Sequence, residues 1–98
     1  MVGRVIWTEK AINDRDDILE YWFERTGSKT YSTKLYTLFK SNLRLILKQP
    51  EIGKPTEAAD IRIKIIRDYF IFYKISDNNI TVLTLWDSRR NPNKLKLK

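Results

Sequence analysis

The 98-residue chain has room for one hydrophobic core and not for two. Its 42% hydrophobic and 32% charged residues exclude a disordered class, and no apolar run approaches the ~18 residues a membrane helix needs. It carries a net charge of +7 and contains neither Cys nor His, which excludes disulfides, thiolate zinc sites, thiol nucleophiles and the usual neutral-pH general base. Catalysis, if any, falls to Lys, Arg, Tyr, Asp or Glu, and neither a metal nor a cofactor is expected.

The opening MVGRVIWTEK lacks the apolar stretch of a secretory signal, which gives the expectation of a cytoplasmic protein. Residues 2–8 (VGRVIWT) are rich in β-branched and aromatic side chains and read as a short strand. Thr8 is a fitting helix N-cap, since its hydroxyl can accept from the free amides of the first turn. A helix is predicted over residues 9–26, with Ala11, Ile18, Leu19 and Trp22 at near-helical spacing and Arg15 interrupting the stripe at its edge. This segment holds six acids and three bases. Gly27 supplies the stop, where a positive φ carries little penalty.

A second helix is predicted from about Ser28 to Gln49, its buried stripe made by Tyr31, Leu35, Leu38, Phe39, Leu43 and Ile46. Residues 27–49 hold five bases and no acid. Pro50 ends the helix, and residues 50–60 (PEIGKPTEAAD) read as a loop. Two helices joined by so short a turn should lie antiparallel.

Three strands follow. Residues 61–66 alternate Ile61, Ile63 and Ile65 with Arg62 and Lys64, which puts isoleucines on one face and cations on the other. Arg67-Asp68 is a turn or bulge. Residues 69–75 (YFIFYKI) are apolar on both faces and read as a central strand. SDNN makes a tight turn into ITVLTLWD, the last strand. Residues 88–98 form a polar tail with five bases and no acid. The expectation is a single α+β domain over residues 1–98, ordered β-α-α-β-β-β, with both helices packed on one face of a small antiparallel sheet and the first strand along one edge. The uncovered face is expected to carry Arg62 and Lys64 beside aromatic residues, and to be where a partner docks.

Four segments now take on a joint meaning: WTEKAINDRDDILEYW, PEIGKP, IRIKIIRDYFIFYKI and LTLWDSRRNPNKL. In this order, from about Val5 to Leu95, they resemble the ParE/RelE superfamily of bacterial type II toxins, among them the toxins of plasmid stabilisation systems. The resemblance implies a small basic toxin made with an acidic antitoxin that covers its active surface. Its RelE-like branch cleaves messenger RNA on the ribosome, using strand cations, a later arginine and a C-terminal Tyr or His. Arg62, Lys64, Arg67 and Arg89 match the cationic positions of that branch. The strand position that is usually arginine is Phe70, and no Tyr or His follows Tyr73. These departures favour the ParE-like branch, which poisons DNA gyrase by binding. They leave no confident catalytic residue. An inactive toxin that only binds its antitoxin is a further alternative.

The candidate target- or antitoxin-binding residues are Arg62, Lys64, Arg67, Trp86, Arg89 and Arg90. Arg62 and Lys64 share a strand face, where like charges repel unless a partner neutralises them. Arg89 can fork onto a carboxylate or a phosphate. Arg67 also reads as an ordinary turn residue, Trp86 as packing, and Tyr69 and Tyr73 as core, because a phenol with its usual pKa of ~10 is a poor base at neutral pH. The carboxylates of the first helix read as a solvated face. Trp22 and Phe23 read as core by default, with their edges candidates for a homodimer or antitoxin surface. The implied partners are the cognate antitoxin and DNA gyrase, or alternatively the ribosome and mRNA; no membrane is expected.

Overall fold

Thr8 fixes the join between the first strand and the first helix in the computed structural model, which describes residues 3–89. Its backbone is extended, and its Oγ1 accepts from the Ala11 amide at 3.1 Å. The same hydroxyl donates to the carbonyls of Val82 (3.0 Å) and Leu83 (3.1 Å), so the cap also ties the helix to the sheet. Strand β1 spans Arg4–Trp7 and helix α1 spans Glu9–Thr26. Gly27 ends α1 at φ 69°, its amide donating to the Phe23 carbonyl. Helix α2 spans Thr30–Lys48 and buries Leu35, Phe39, Leu43 and Ile46, spaced four, four and three residues apart. Of α1 only Ala11 is fully buried, while Ile18, Leu19 and Trp22 pack half-buried against the same core.

The segment expected to be a plain loop contains a 3-10 turn at Pro50–Ile52 and a two-residue strand, β2, at Lys54–Pro55. Strands β3 (Ile61–Ile66), β4 (Tyr69–Ser76) and β5 (Asn79–Asp87) form the meander. The sheet order is β1-β5-β4-β3-β2, with β1 parallel to β5 and every other pair antiparallel. Asp77 and Asn78 both take positive φ between the paired residues Ser76 and Asn79, a two-residue hairpin whose twist matches that of the strands. Leu83 falls out of register between Phe72↔Thr84 and Tyr73↔Val82. This bulge lets Val82 and Leu85, three residues apart, both join the core beneath the helices.

The two sheet faces differ from expectation. Tyr69, Ile71 and Tyr73 lie in the core under the helices, and they stand directly opposite Ile66, Lys64 and Arg62. Cross-strand partners share a face, so Arg62 and Lys64 are on the helix side. Ile61 and Ile63 point the other way, into a small cluster with Phe72, Trp86, Phe70, Leu83 and Ala58; Ile65, of the same parity, is 46% exposed. The face turned away from the helices is therefore apolar, not basic. β3 lies towards the edge of the sheet, flanked on its outer side by the two-residue β2. Long cationic stems can there lie over the core rim and keep their heads in water.

Candidate partner-binding surfaces

Two surfaces bring polar chemistry together. The first is a cleft of ≈ 340 Å³ between α1 and the end of the sheet where β3 turns into β4, lined by Asp14, Ile18, Tyr69, Leu85, Asp87 and Arg89 among others. Asp14 is its anchor. One carboxylate oxygen accepts from Thr84 Oγ1 at 2.6 Å, from the Leu85 amide at 3.2 Å and from Lys10 Nζ at 2.9 Å. Tyr69 receives the indole N–H of Trp22 at 2.7 Å. Burial raises its phenol pKa above the ordinary value, the Trp22 hydrogen bond opposes that rise, and the Asp87 charge adds to it.

Arg89 forks onto Asp87, with Nε at 2.9 Å from one carboxylate oxygen and Nη2 at 2.7 Å from the other. The Arg89 amide also donates to Asp87, at 2.9 Å. Hydrogen bonding to this carboxylate, and its charge, raise the guanidinium pKa, while the side chain stays 52% exposed.

Arg62 sits elsewhere. Its Nη1 donates to the carbonyls of Gly53 (2.7 Å) and Glu51 (3.1 Å), holding down the 3-10 turn. Beneath it the Tyr73 hydroxyl donates to the Pro50 carbonyl at 2.7 Å and accepts from the Gly53 amide at 2.9 Å. Arg62 pairs with Tyr73, whereas Tyr69 and Asp87 pair at the other end of β4. Four strand residues, roughly 13 Å, separate the two levels. Lys64 lies half-buried between them, opposite Ile71. Arg67 is in the turn after β3 at φ 55°, exposed, on the same end of the sheet as Arg89. Trp86 is 8% exposed and packs in the cluster on the far face, opposite Phe70. Arg90 and most of the basic tail lie outside the described residues. The structure thus brings Arg67 and Arg89 to one end, and separates Arg62 from them.

The second surface escaped the sequence reading. Arg15 places its guanidinium 5.0 Å from the Trp7 ring centre and 5.5 Å from that of Tyr36, while Lys40 Nζ lies 4.6 Å from the Tyr36 ring. This stack joins β1, α1 and α2. The one available signal was Arg15 itself, a cation breaking an apolar stripe. A groove of ≈ 240 Å³ adjoins the stack, lined by Val5, Trp7, Tyr36, Lys40, Leu43 and Arg44.

Among the described residues no group of three or more His, Cys, Asp or Glu is placed to hold a metal ion, and no helix is long and apolar enough to cross a membrane. Residues 5–92 match the family model described as the ParE toxin of the type II toxin-antitoxin system, parDE. The chain belongs to the ParE toxin family. A solved structure of a chromosomal ParDE TA system from P. aeruginosa contains a chain of the same fold, with a TM-score of 0.74 at 17% identity, over 88% of this chain and 96% of that one. No curated protein sequence matches significantly. Every residue that lines the cleft or the groove of this ParE-family toxin lies within the matched span.

Proposed function

We propose that this ParE-family toxin acts in the cytoplasm by binding DNA gyrase and holding it in its cleaved-DNA state, and that an acidic cognate antitoxin restrains it. The observation that carries the binding reading over a nucleolytic one is the disposition of the cations. Attack of a ribose hydroxyl on a phosphate needs a base, an acid and several cations converging on one point. Here Arg62 is spent on two loop carbonyls and Arg89 is forked by Asp87, at different levels of the sheet. Burial of the Tyr69 and Tyr73 phenols raises their pKa values, which makes them poorer proton carriers still. Poisoning by binding requires none of these groups to act as base. The net charge of +7 supports the acidic partner, because complementary charge speeds capture.

The test is a gyrase supercoiling and cleavage assay with the purified chain. Accumulation of cleaved DNA at micromolar toxin is the expected result. Absence of both supercoiling inhibition and cleaved DNA at that concentration would overturn the target. If the same chain instead cut mRNA on ribosomes, and lost that activity on Lys64→Ala, the nucleolytic reading would replace it.

A further inference from the structure

We propose that the apolar sheet face turned away from the helices is a docking surface for the chain's own tail, residues 94–98. Leu95 and Leu97 lie against the face, and Lys94, Lys96 and Lys98 turn to water.

Ile65, Phe70 and Trp86 stand directly opposite one another on β3, β4 and β5, so they form one row across this face. Ile63 and Phe72 pair in the next row, with Leu83 of β5 packed against the same cluster. Ile61 extends it along β3. Both α-helices pack on the other side of the sheet. Among the described residues, Ala58 is the one member of the cluster that lies outside the strands. The outer parts of the face therefore stay accessible: Ile65 is exposed, and Ile63, Phe70 and Leu83 are half-buried. A contiguous apolar patch of this kind on a monomer calls for an occupant.

The tail fits in pattern, origin and length. Residues 94–98 read Lys-Leu-Lys-Leu-Lys. In extended backbone this alternation puts both leucines on one side and all three lysines on the other. β5 ends at Asp87, the residue after Trp86, so the tail sets out beside the Ile65–Phe70–Trp86 row. Asn91, Pro92 and Asn93 are turn-forming types that can reverse the chain over that row. Residues 94 to 98 then span ~13 Å when extended, the same four steps that separate Ile65 from Ile61 on β3. Leu95 and Leu97 are ~7 Å apart, the spacing of Ile65 and Ile63.

Charge supports this direction. Glu57 and Asp60 flank Ala58 at the Ile61 end, both exposed and in none of the ion pairs among the described residues. Lys96 and Lys98 arrive at that end. A second copy of the chain could also cover the face, but it lacks the tether, which holds the leucines at an effective concentration on the order of millimolar. Docked in this way, the tail converts an apolar face into a cationic one.

The experiment uses the full chain with isotope-labelled leucine and isoleucine methyls. The expected result is nuclear Overhauser contacts from Leu95 and Leu97 to the Ile63 and Ile65 methyls and the Phe70 ring, unchanged on dilution. A second measurement reads the face itself. Leu95→Ser/Leu97→Ser should raise the emission of the apolar dye ANS about threefold or more, because it uncovers the cluster. Lys94→Ser/Lys96→Ser should leave that emission unaltered. Circular dichroism checks that both variants stay folded, and the contacts in the wild-type chain decide the matter if the leucine variant does not. Four results would each overturn the proposal. They are no contact from either leucine to the face, contacts to the helix side or the β1 edge instead, contacts seen only between different chains in a mixed-label sample, or equal dye emission in the wild type and a folded leucine variant. The third of these would assign the face to a second copy.

Discussion

Trp22 donates its indole N–H to the Tyr69 hydroxyl at 2.7 Å, joining the middle of α1 to the first residue of β4. Both rings are held by further edge-on contacts, Trp22 against Tyr31 with centroids 4.8 Å apart and Tyr69 against Phe39 at 5.9 Å. This aromatic cluster links both helices to the central strand. Four residues further along β4, the buried Tyr73 hydroxyl closes the 3-10 turn between Pro50 and Gly53. The strand that sequence marked as apolar on both faces is thus anchored at two levels by phenols.

These phenols make the fold sensitive to alkali. Burial is the main cause of a raised pKa at both Tyr69 and Tyr73, so the folded state holds each phenolic proton more tightly than the unfolded chain does. Their contribution is complete below the unfolded value of ~10 and is lost as pH rises through the folded values. The urea midpoint of the wild type should fall between about pH 9 and 11. The Tyr69→Phe/Tyr73→Phe variant should start lower at neutral pH and lose less across that window. Parallel curves for the two proteins would contradict this.

Gly53 is required for space, not for its backbone angle, which at φ −72° any residue can adopt. A Cβ there would lie 2.5 Å from the Tyr73 hydroxyl, 2.8 Å from its ring and 2.9 Å from the Ile63 carbonyl. Tyr73 is fully buried and Ile63 belongs to β3, so neither moves freely. Gly53→Ala should destabilise the chain by about 2 kcal/mol in urea unfolding. Gly27→Ala, with open space but φ 69°, should cost about 1 kcal/mol. The reverse order would show that the turn yields and the helix cap does not.

Much of this fold was legible because local signals agreed with the global pattern. Thr8, Gly27, Pro50 and the Asp77-Asn78 turn each mark an element boundary by backbone chemistry that acts within a few residues. What could not be read was the sidedness of β3. Alternation of isoleucine with Arg62 and Lys64 defines two faces, but only packing decides which one the helices cover. Both faces of β4 are apolar, so its sequence offered no arbitration. The two-residue β2 and the Trp7–Arg15–Tyr36 stack were invisible for a related reason: each depends on residues distant in sequence. Arg62 and Arg89 look alike as exposed strand-end cations. One holds a loop and the other is held by Asp87.

The role of Arg62 in the fold can be separated from a role in target binding. Its two carbonyl bonds are charge-assisted and partly screened by solvent. Arg62→Ala should lower stability by about 1 kcal/mol, with the loss centred on the turn at Pro50–Ile52. Lys64→Ala, on the same strand face but with no such bonds, should change stability by less than ~0.5 kcal/mol. Amide exchange at Gly53 is the discriminating readout, because its partner Tyr73 loses its cover only in the first variant. Equal exchange in both variants would mean that Arg62 does not hold the turn.

Asp14 offers the sharpest contrast between a surface ion pair and a buried acceptor. Lys10 is 59% exposed on its side chain, so its bond to Asp14 is a screened i,i+4 pair. Thr84, by contrast, is 2% exposed, follows the out-of-register Leu83, and donates to the same carboxylate at 2.6 Å, with the Leu85 amide beside it. Asp14→Ala strands both of these donors at the bulge and should destabilise by about 2 kcal/mol. Lys10→Ala removes the exposed pair and the 3.1 Å bond from Nζ to Thr84 Oγ1, and should cost about 0.5 kcal/mol, the ion-pair share of which weakens in high salt. Asp14→Asn keeps an acceptor oxygen in place and should fall between the two. Urea unfolding of the three variants at low and high salt decides the matter. If Asp14→Ala and Lys10→Ala were equally mild and equally salt-sensitive, the carboxylate would be serving the helix surface and not the junction between α1 and β5.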